Sequence, residues 1–308
     1  MAPAASREVT IGIDLGATHV RAAIVDAAGT IIAATRLRLP PDPVTRRQAA
    51  TDITVGLIRS NPEHQVAAVG LAVAGTVADG VLTWSANLGL ARIDYRSELQ
   101  EATGRPAVVI NDARAAALAE AHHGAGIGAA TMVMVTVGTG IGGGLVIGGR
   151  LHAGTGDAGE IGHLLIDPRG PRCRCGHCGC WEQMAGGLAL DAAAAAHLAA
   201  CRAATAGGQP AAASLAEAAG RGDKVAADII GRHADLFARG LDSLCAVLAP
   251  DLLVLGGGII ARRGPIRDAY LSAARKLRWH AGDTRTAVLG DDAGMIGAAY
   301  AARASGQT

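Results

Sequence analysis

The chain opens with short apolar segments that are rich in β-branched residues and separated by small turns. VTIGIDLGATHVRAAIVDAAGTIIAATRLRL predicts three strands, with LGAT and DAAG as the breaks between them. TMVMVTVGTGIGGGLVIGGRLHAG repeats this order, and sliding one segment over the other pairs Gly16 with Gly138 and Val25 with Ile147. The repetition predicts a duplicated β-hairpin unit at the head of each of two lobes.

Helical spacing alternates with further strands along the rest of the chain. NDARAAALAEAHHGAG follows the predicted strand PAVVIND, and SLAEAAGRGDKVAADIIGRHADLFARGLDSLCAVLAP has helical apolar spacing with charged faces. DLLVLGGGII predicts a buried strand, IRDAYLSAARKLRWH predicts a helix, and residues 203–210 predict a loop. This order is typical of an α/β protein whose sheets are covered by helices.

The overall composition narrows the class of protein. A chain of 308 residues is long enough to form two lobes. Its formal net charge of +1 lacks the basic excess that nucleic-acid binding usually needs. An aromatic content of 2% also argues against a surface that stacks single-stranded bases. We therefore expect a globular protein with no nucleic-acid partner.

Two features of the sequence bear on the cellular location of the protein. The start, MAPAASREV, lacks the apolar segment of a secretory signal. Residues 124–149 carry no charge, but glycines and threonines interrupt them, which predicts buried strands rather than a membrane span. We therefore expect a cytoplasmic protein with no membrane partner. Its cysteines should then be reduced, which favours metal or redox chemistry over disulfides.

Glycine-rich turns follow three of the predicted strands, at residues 14–18, 137–144 and 255–260. Glycine lets backbone N–H groups approach a phosphate closely, although any one of these turns alone could be a plain β-turn. No GxxxxGK[ST] motif is present, which excludes a P-loop. Gly138, Gly140 and Gly143 fit GxGxxG formally, but a strand follows them where a dinucleotide-binding turn would open a helix. Gly256, Gly258 and Ala261 fit GxGxxA, without a ribose-binding acid at the expected distance.

Asp14 ends the first predicted strand and begins the first of these turns. Its carboxylate could simply cap the turn. Beside a phosphate loop, it could instead hold Mg²⁺ through water, because Mg²⁺ keeps most of its hydration shell. The residues themselves leave both interpretations open.

The segment GEIGHLLIDPRGPRCRCGHCGCWEQMAGG concentrates the groups that could bind a metal ion. These groups are Glu160, His163, Cys173, Cys175, Cys178, Cys180 and Glu182. Cys175 and Cys178 form a CxxC pair, which is typical of redox proteins. The missing thioredoxin-type context and the nearby CxC pattern favour a metal site over that alternative.

Five motifs in this order and spacing, DLGATHVRAAIVD, NDARAAALAE, VGTGIGGGLVIGG, GEIGH and CRCGHCGCWE, resemble the ROK family of sugar kinases and sugar-responsive repressors. The resemblance runs from Val9 to Ala302. Its most specific part is the signature CxCGxxGCxE, matched by Cys173, Cys175, Gly176, Gly179, Cys180 and Glu182. It implies the two-lobed actin-like ATPase (ribonuclease H-like) fold, with a cleft between two α/β lobes. We expect a small lobe of residues 1–118 and 290–308 and a large lobe of residues 119–289.

The resemblance also implies a role for each site residue. Asp112 is expected to be the catalytic base, although an aspartate at the start of a helix could instead be its N-cap. The residues expected to bind the sugar are Asn87, Asn111, Asp112, Glu160, His163 and Glu182. The residues expected to bind ATP are Asp14, Gly16, Ala17, Thr18, Gly138, Thr139 and Gly140 at the phosphates and Gly256, Gly257 and Gly258 at the adenosine. The expected ligands of a structural Zn²⁺ are His163, Cys173, Cys175 and Cys180.

The expected activity is an ATP- and Mg²⁺-dependent transfer of phosphate to a hexose, with glucose as the default acceptor. Alternatives are an amino- or N-acetylhexosamine, a sugar-like cyclitol, a sugar-sensing regulator without a DNA-binding domain, and an inactive sugar-binding protein. The resemblance further implies a homodimer or homotetramer.

Ala17, His19 and Arg114 depart from the family pattern, with Arg114 facing either the sugar pocket or solvent. Cys178 is surplus to the signature, as a free thiol or as a substitute for a neighbouring ligand.

Overall fold

The structure is a computed structural model, and it describes residues 8–85, 87–156, 158–200 and 210–306. The chain folds into two compact units. Unit 1 consists of residues 1–129, 144–159 and 288–308, and unit 2 consists of residues 130–143 and 160–287. The lobe boundaries expected from the sequence stay a prediction.

Strands and helices alternate along the chain, as expected. The strands are β1 Val9–Leu15, β2 His19–Val25, β3 Ile31–Arg38, β4 Val66–Val73, β5 Thr76–Ala78, β6 Val81–Ser85, β7 Leu90–Ile93, β8 Ala107–Asn111, β9 Thr131–Val137, β10 Ile141–Ile147, β11 Arg150–Leu151, β12 Leu252–Gly256 and β13 Asp283–Thr286. The helices are α1 Pro43–Ser60, α2 Tyr95–Thr103, α3 Asp112–His123, α4 Trp181–Ala185, α5 Gly187–Ala200, α6 Ala211–Gly220, α7 Lys224–Leu248, α8 Gly258–Ala261, α9 Pro265–Ala274 and α10 Ala293–Ser305. Residues 161–163 and 290–292 form short 3₁₀ turns.

Unit 1 is built on a five-stranded sheet with the order β3-β2-β1-β4-β8. β1 pairs antiparallel with β2 and parallel with β4, and all seven of its residues are buried. Helix α10 packs directly on β1 and β4. Gly12 and Gly70 permit this approach, because a Cβ on either would overlap a carbonyl of α10. A layered core of this kind positions the ends of β1 and β8 rigidly.

The second five-stranded sheet has the order β11-β10-β9-β12-β13, and the unit boundary falls within β10. Its order matches that of the first sheet strand for strand, which confirms the duplication predicted from the sequence. Gly16 follows β1 as Gly138 follows β9, and Val25 ends β2 as Ile147 ends β10. In unit 2, β12 runs parallel to both β9 and β13.

The structure breaks the long helical segment predicted between residues 214 and 250. Helix α6 ends at Gly220, and α7 begins after Asp223, whose carboxylate accepts from the N–H groups of Val225 and Ala226. Most of the loop predicted at residues 203–210 lies outside the described residues. Among the helices that are described, none combines the length and the apolar character that a bilayer span requires.

Candidate functional site

Asp112 is the first residue of α3, directly after the buried strand β8. The N-cap of α3 is Asn111, whose side chain accepts from the N–H of Arg114 at 3.1 Å, so the capping alternative for Asp112 is wrong. Asp112 Oδ1 accepts from the N–H of Ala113 at 2.9 Å and from Asn111 Nδ2 at 3.0 Å. These two hydrogen bonds fix the orientation of a half-buried carboxylate.

Hydrogen bonds of Asn111 also connect Asp112 to the backbone segment that contacts the turn containing Asn87. Its Nδ2 donates to the carbonyl of Gly75 at 3.1 Å, and the neighbouring carbonyl of Ala74 accepts from Ser85 Oγ at 2.5 Å. Ser85 ends β6, and the exposed Asn87 lies in the turn that follows. The structure thus connects two of the predicted sugar-binding residues through one backbone segment. Because both N–H groups of the Asn111 amide are engaged, we expect its main task to be orientation.

At the end of β1, the carboxylate of Asp14 is nearly buried and forms a short ion pair with Arg21. Burial raises the pKa of Asp14, and the guanidinium of Arg21 lowers it in opposition. Arg21 was absent from the sequence-based site, although the hairpin register places it directly opposite Asp14. The turn residues Gly16, Ala17 and Thr18 follow, and Thr18 Oγ1 contacts His19 Nδ1 at 3.0 Å.

In unit 2, backbone hydrogen bonds hold the turn after β9 against the start of α5. The N–H of Gly187 donates to the carbonyl of Gly138 at 2.8 Å, and the N–H of Leu188 donates to the carbonyl of Thr139 at 2.9 Å. Gly257 also packs against this strand end: its φ is +85°, and a Cβ there would lie 2.5 Å from the Val137 carbonyl. The structure therefore brings two of the predicted nucleotide-binding turns together within one unit.

Four potential metal ligands converge in the loop between β11 and α4. The ligand atoms of His163, Cys173, Cys175 and Cys180 all lie within 4.8 Å of one another. A tetrahedral zinc site requires about 3.8 Å between two sulfurs and about 3.6 Å between sulfur and nitrogen. Cys175 Sγ and Cys180 Sγ are 3.5 Å apart, and Cys173 Sγ and His163 Nδ1 are 3.6 Å apart. The donor set and its spacing fit Zn²⁺.

The thiols of this cluster differ in their electrostatics. The backbone N–H and the ring of His177 lower the pKa of Cys175 to about 6, which gives the thiolate form that binds metals. Burial raises the pKa of Cys180, so this thiol needs a nearby cation to ionise. Cys178 is exposed and lies outside the four-residue cluster.

The cluster contacts both of the flanking acids. His163 presents Nδ1 to Cys173, and its Nε2 lies 4.0 Å from Glu160 Oε2. The resemblance implies that His163 binds both the metal and the sugar. Nδ1 lies on the side of the metal cluster, and Nε2 lies on the side of the proposed sugar-binding residue Glu160. Cys173 Sγ is 3.6 Å from Glu182 Oε1, donating a hydrogen bond when it is a thiol. As a zinc-bound thiolate it would donate none, and the charge of the ion would stabilise the carboxylate instead.

Arg114 is buried, so the solvent-facing alternative for this residue is wrong. Its Nη1 donates to the carbonyl of Gly156 at 2.5 Å. Nothing in the local pattern of NDARAAALAE indicates this contact, because Gly156 lies 42 residues further along the chain.

Comparisons with known proteins show to which family the chain belongs. The chain matches the ROK family over residues 10–305. It is 33% identical to the glucokinase of Streptomyces coelicolor over 312 residues, covering 96% of this chain and 98% of that protein. It is 36% identical to an N-acetylmannosamine kinase of Escherichia coli over 300 residues, again covering 96% of this chain and 98% of that protein.

The chain is also similar in structure to a solved member of this family. A ROK family glucokinase from Streptomyces griseus, crystallised with glucose and AMPPNP, superimposes with a TM-score of 0.81 at 32% identity. The superposition covers 96% of this chain and 99% of that one. It confirms the expected α/β fold, and the chain belongs to the ROK family.

Proposed function

We propose that this chain, an ATP-dependent sugar kinase, transfers the γ-phosphoryl group of ATP to the 6-hydroxyl of glucose. The observation that carries the proposal is the carboxylate of Asp112, oriented by Asn111 and Ala113 at the end of β8. Glucokinase from Streptomyces coelicolor, similar over nearly the whole chain, supports glucose as the acceptor. The glucose and AMPPNP in the Streptomyces griseus structure support the same pair of substrates.

Asp112 acts as the general base. A sugar hydroxyl is a poor nucleophile near neutral pH, so its proton must be accepted as the oxygen attacks the γ-phosphorus. The proton moves to the carboxylate, the bond from the γ-phosphorus to the bridging oxygen breaks, and ADP leaves with that electron pair. Because the transition state is loose, positioning and charge neutralisation supply most of the catalysis.

The phosphates of ATP are bound by N–H groups of the turns at residues 16–18 and 138–140, and the adenosine lies against residues 256–258. Asp14 would hold Mg²⁺ through water, since its carboxylate lies beside the first turn. The ion supplies charge neutralisation when it is bound. Burial raises the pKa of Asp14, and Arg21 opposes this effect by favouring the carboxylate form.

Glu160 and Glu182 accept hydrogen bonds from the sugar hydroxyls. His163 donates to a sugar hydroxyl from Nε2, and the amide of Asn87 donates or accepts. Zn²⁺ held by His163 and three cysteines has a structural role, because four protein ligands leave no open position for water. Such an ion fixes the conformation of the loop that Glu160 and Glu182 flank. The contacts of the cluster with Glu160 and Glu182 support this assignment.

A second acceptor class is favoured by one observation. The N-acetylmannosamine kinase of Escherichia coli is as similar in coverage as the glucokinase and slightly higher in identity. An N-acetylhexosamine or amino sugar is therefore the alternative acceptor, ahead of a cyclitol.

The expected assembly of this chain into a homodimer or homotetramer stays a prediction.

A coupled assay of ADP release over glucose, mannose, N-acetylglucosamine, N-acetylmannosamine, glucosamine and fructose tests the proposal. We expect the highest kcat/KM with glucose, and Asp112→Asn should lower kcat by about 100-fold or more. Asp94→Asn is the matched control, because Asp94 caps α2 in the same unit. Turnover that survives Asp112→Asn would remove this residue from the role of base, and a preference for N-acetylmannosamine would establish the alternative acceptor.

A further inference from the structure

Arg114 is 9% exposed, although arginine side chains usually remain at the protein surface. It lies two residues after the proposed base Asp112, in the first turn of α3. Its backbone N–H donates to Asn111 Oδ1 at 3.1 Å, and Asn111 Nδ2 donates to Asp112 Oδ1 at 3.0 Å. The backbone of Arg114 therefore helps to orient the carboxylate that would accept the sugar proton.

The guanidinium of the same residue contacts a different part of unit 1. Nη1 donates to the carbonyl of Gly156. Gly156 lies in a segment of unit 1 that we call the acceptor loop, of which the structure describes residues 153–156, 158 and 159. Two internal hydrogen bonds shape this loop: the N–H groups of Gly156 and Ala158 both donate to the carbonyl of Ala153, at 2.9 and 3.3 Å. Glu160, which we propose to bind a sugar hydroxyl, follows the loop directly in sequence.

The backbone from which Arg114 extends is itself tightly fixed. A Cβ on Gly144 in β10 would lie 2.5 Å from Ala117 Cβ and 3.4 Å from Arg114 Cα, so α3 and this strand are in close contact. The two hydrogen bonds described within the acceptor loop join its residues to one another and not to α3. A charge-assisted hydrogen bond from a rigid helix to a loop carbonyl supplies such a connection.

We propose that Arg114 is a positioning residue for the sugar acceptor, an inference that rests on the proposed kinase function. It holds the acceptor loop at a fixed distance from the Asn111–Asp112 pair, and the chain continues from this loop to Glu160. The structure shows Nη1 of the guanidinium donating to a backbone carbonyl, and from this contact we infer that its effect on the sugar is indirect. Its loss should therefore weaken acceptor binding more than it slows phosphoryl transfer.

The test measures kcat and KM of Arg114→Ala and Arg114→Lys with the sugar panel and with ATP. For Arg114→Ala we expect KM for the best sugar to rise about 10-fold or more, with KM for ATP little changed. Lysine retains a charged donor that can reach a carbonyl, so Arg114→Lys should restore part of the loss. Amide hydrogen exchange of the acceptor loop should be faster in Arg114→Ala, independently of activity.

Arg303→Ala is the matched control. Arg303 lies in the same unit, and its guanidinium also donates to a backbone carbonyl, that of Val25 at 3.2 Å. We expect this variant to keep the wild-type KM for sugar. A folded Arg114→Ala protein with KM for sugar within about 2-fold of wild type would overturn the inference and leave the kinase function intact. An equal rise in Arg303→Ala would overturn it too, whereas a wild-type protein that phosphorylates no sugar would overturn both proposals.

Discussion

The carboxylate of Glu182 lies directly against Gly140, with Oε2 2.5 Å from the position that a Cβ would occupy on that glycine. Glu182 is a proposed sugar-binding residue, and Gly140 belongs to a proposed phosphate turn. On its other side, Glu182 Oε1 is 3.6 Å from Cys173 of the candidate metal cluster. One side chain of unit 2 therefore connects the metal cluster to the turn after β9.

Gly140→Ala should displace this carboxylate, because a methyl group would overlap Oε2. We expect kcat/KM for sugar to fall by about 100-fold, the loss that a 1 Å misplacement of a binding group can cause. Steady-state kinetics with sugar as the varied substrate measure the effect. Gly231→Ala in α7 is the control, since its Cβ would meet no atom within 4 Å. Unchanged kinetics in Gly140→Ala would show that Glu182 has no fixed role at this position.

Removal of the metal should weaken sugar binding. We expect purified protein to contain about one Zn²⁺ per chain, and Cys175→Ser to lower its zinc affinity by about 10-fold or more. Because the cluster contacts Glu160 and Glu182, KM for sugar should rise together with zinc loss. Elemental analysis and kinetics measure both effects.

Cys178→Ser provides the comparison for this experiment, since Cys178 is exposed and outside the cluster. Its metal content should equal that of the wild type. Zinc loss in Cys178→Ser with retention in Cys175→Ser would reassign the ligand, and a metal-free active wild type would argue against a zinc role altogether.

Arg21→Met should make the kinase more sensitive to acid. Burial raises the pKa of Asp14, and Arg21 lowers it, so removing the guanidinium should raise this pKa further. A protonated Asp14 cannot hold Mg²⁺ through water. Activity should therefore be lost at a higher pH than in the wild type as the solution is acidified, with the smallest difference at alkaline pH. The pH dependence of kcat/KM for MgATP measures the shift.

Arg36→Met separates this effect from a general loss of positive charge. Arg36 lies opposite Arg21 on β3 and is exposed. Its removal should leave the acidic limb of the pH profile almost where it is in the wild type. Equal displacement in both variants would indicate a long-range field rather than the ion pair with Asp14.

Local patterns predicted the order of strands and helices and the segment that concentrates potential metal ligands, because both depend on residues that are close in sequence. The two-lobed fold and the set of four ligands came from the resemblance to the ROK family. The hairpin repeat was visible in the alternation of β-branched segments and glycine turns, and the ligands from His163 to Cys180 lie in one loop. The contacts of Arg114 and Glu182 depend on how distant segments pack, which periodicity does not encode. The break between α6 and α7 was missed because a helical apolar spacing continues across the capping residue Asp223.

The packing of α10 on α3 leads to a prediction about stability. A Cβ on Gly297 would overlap the carbonyl of Ala115, since the two helices approach at backbone distance. Gly297→Ala should therefore lower the free energy of unfolding by about 1–3 kcal/mol, even though alanine favours a helix. Urea unfolding followed by circular dichroism measures the change. Gly56→Ala in α1 is the matched control, because its Cβ would meet nothing within 4 Å, and it should raise stability by up to about 1 kcal/mol. If Gly297→Ala were as stable as Gly56→Ala, the close approach of α10 to α3 would be wrong, and with it the packing that fixes the helix bearing Asp112 and Arg114.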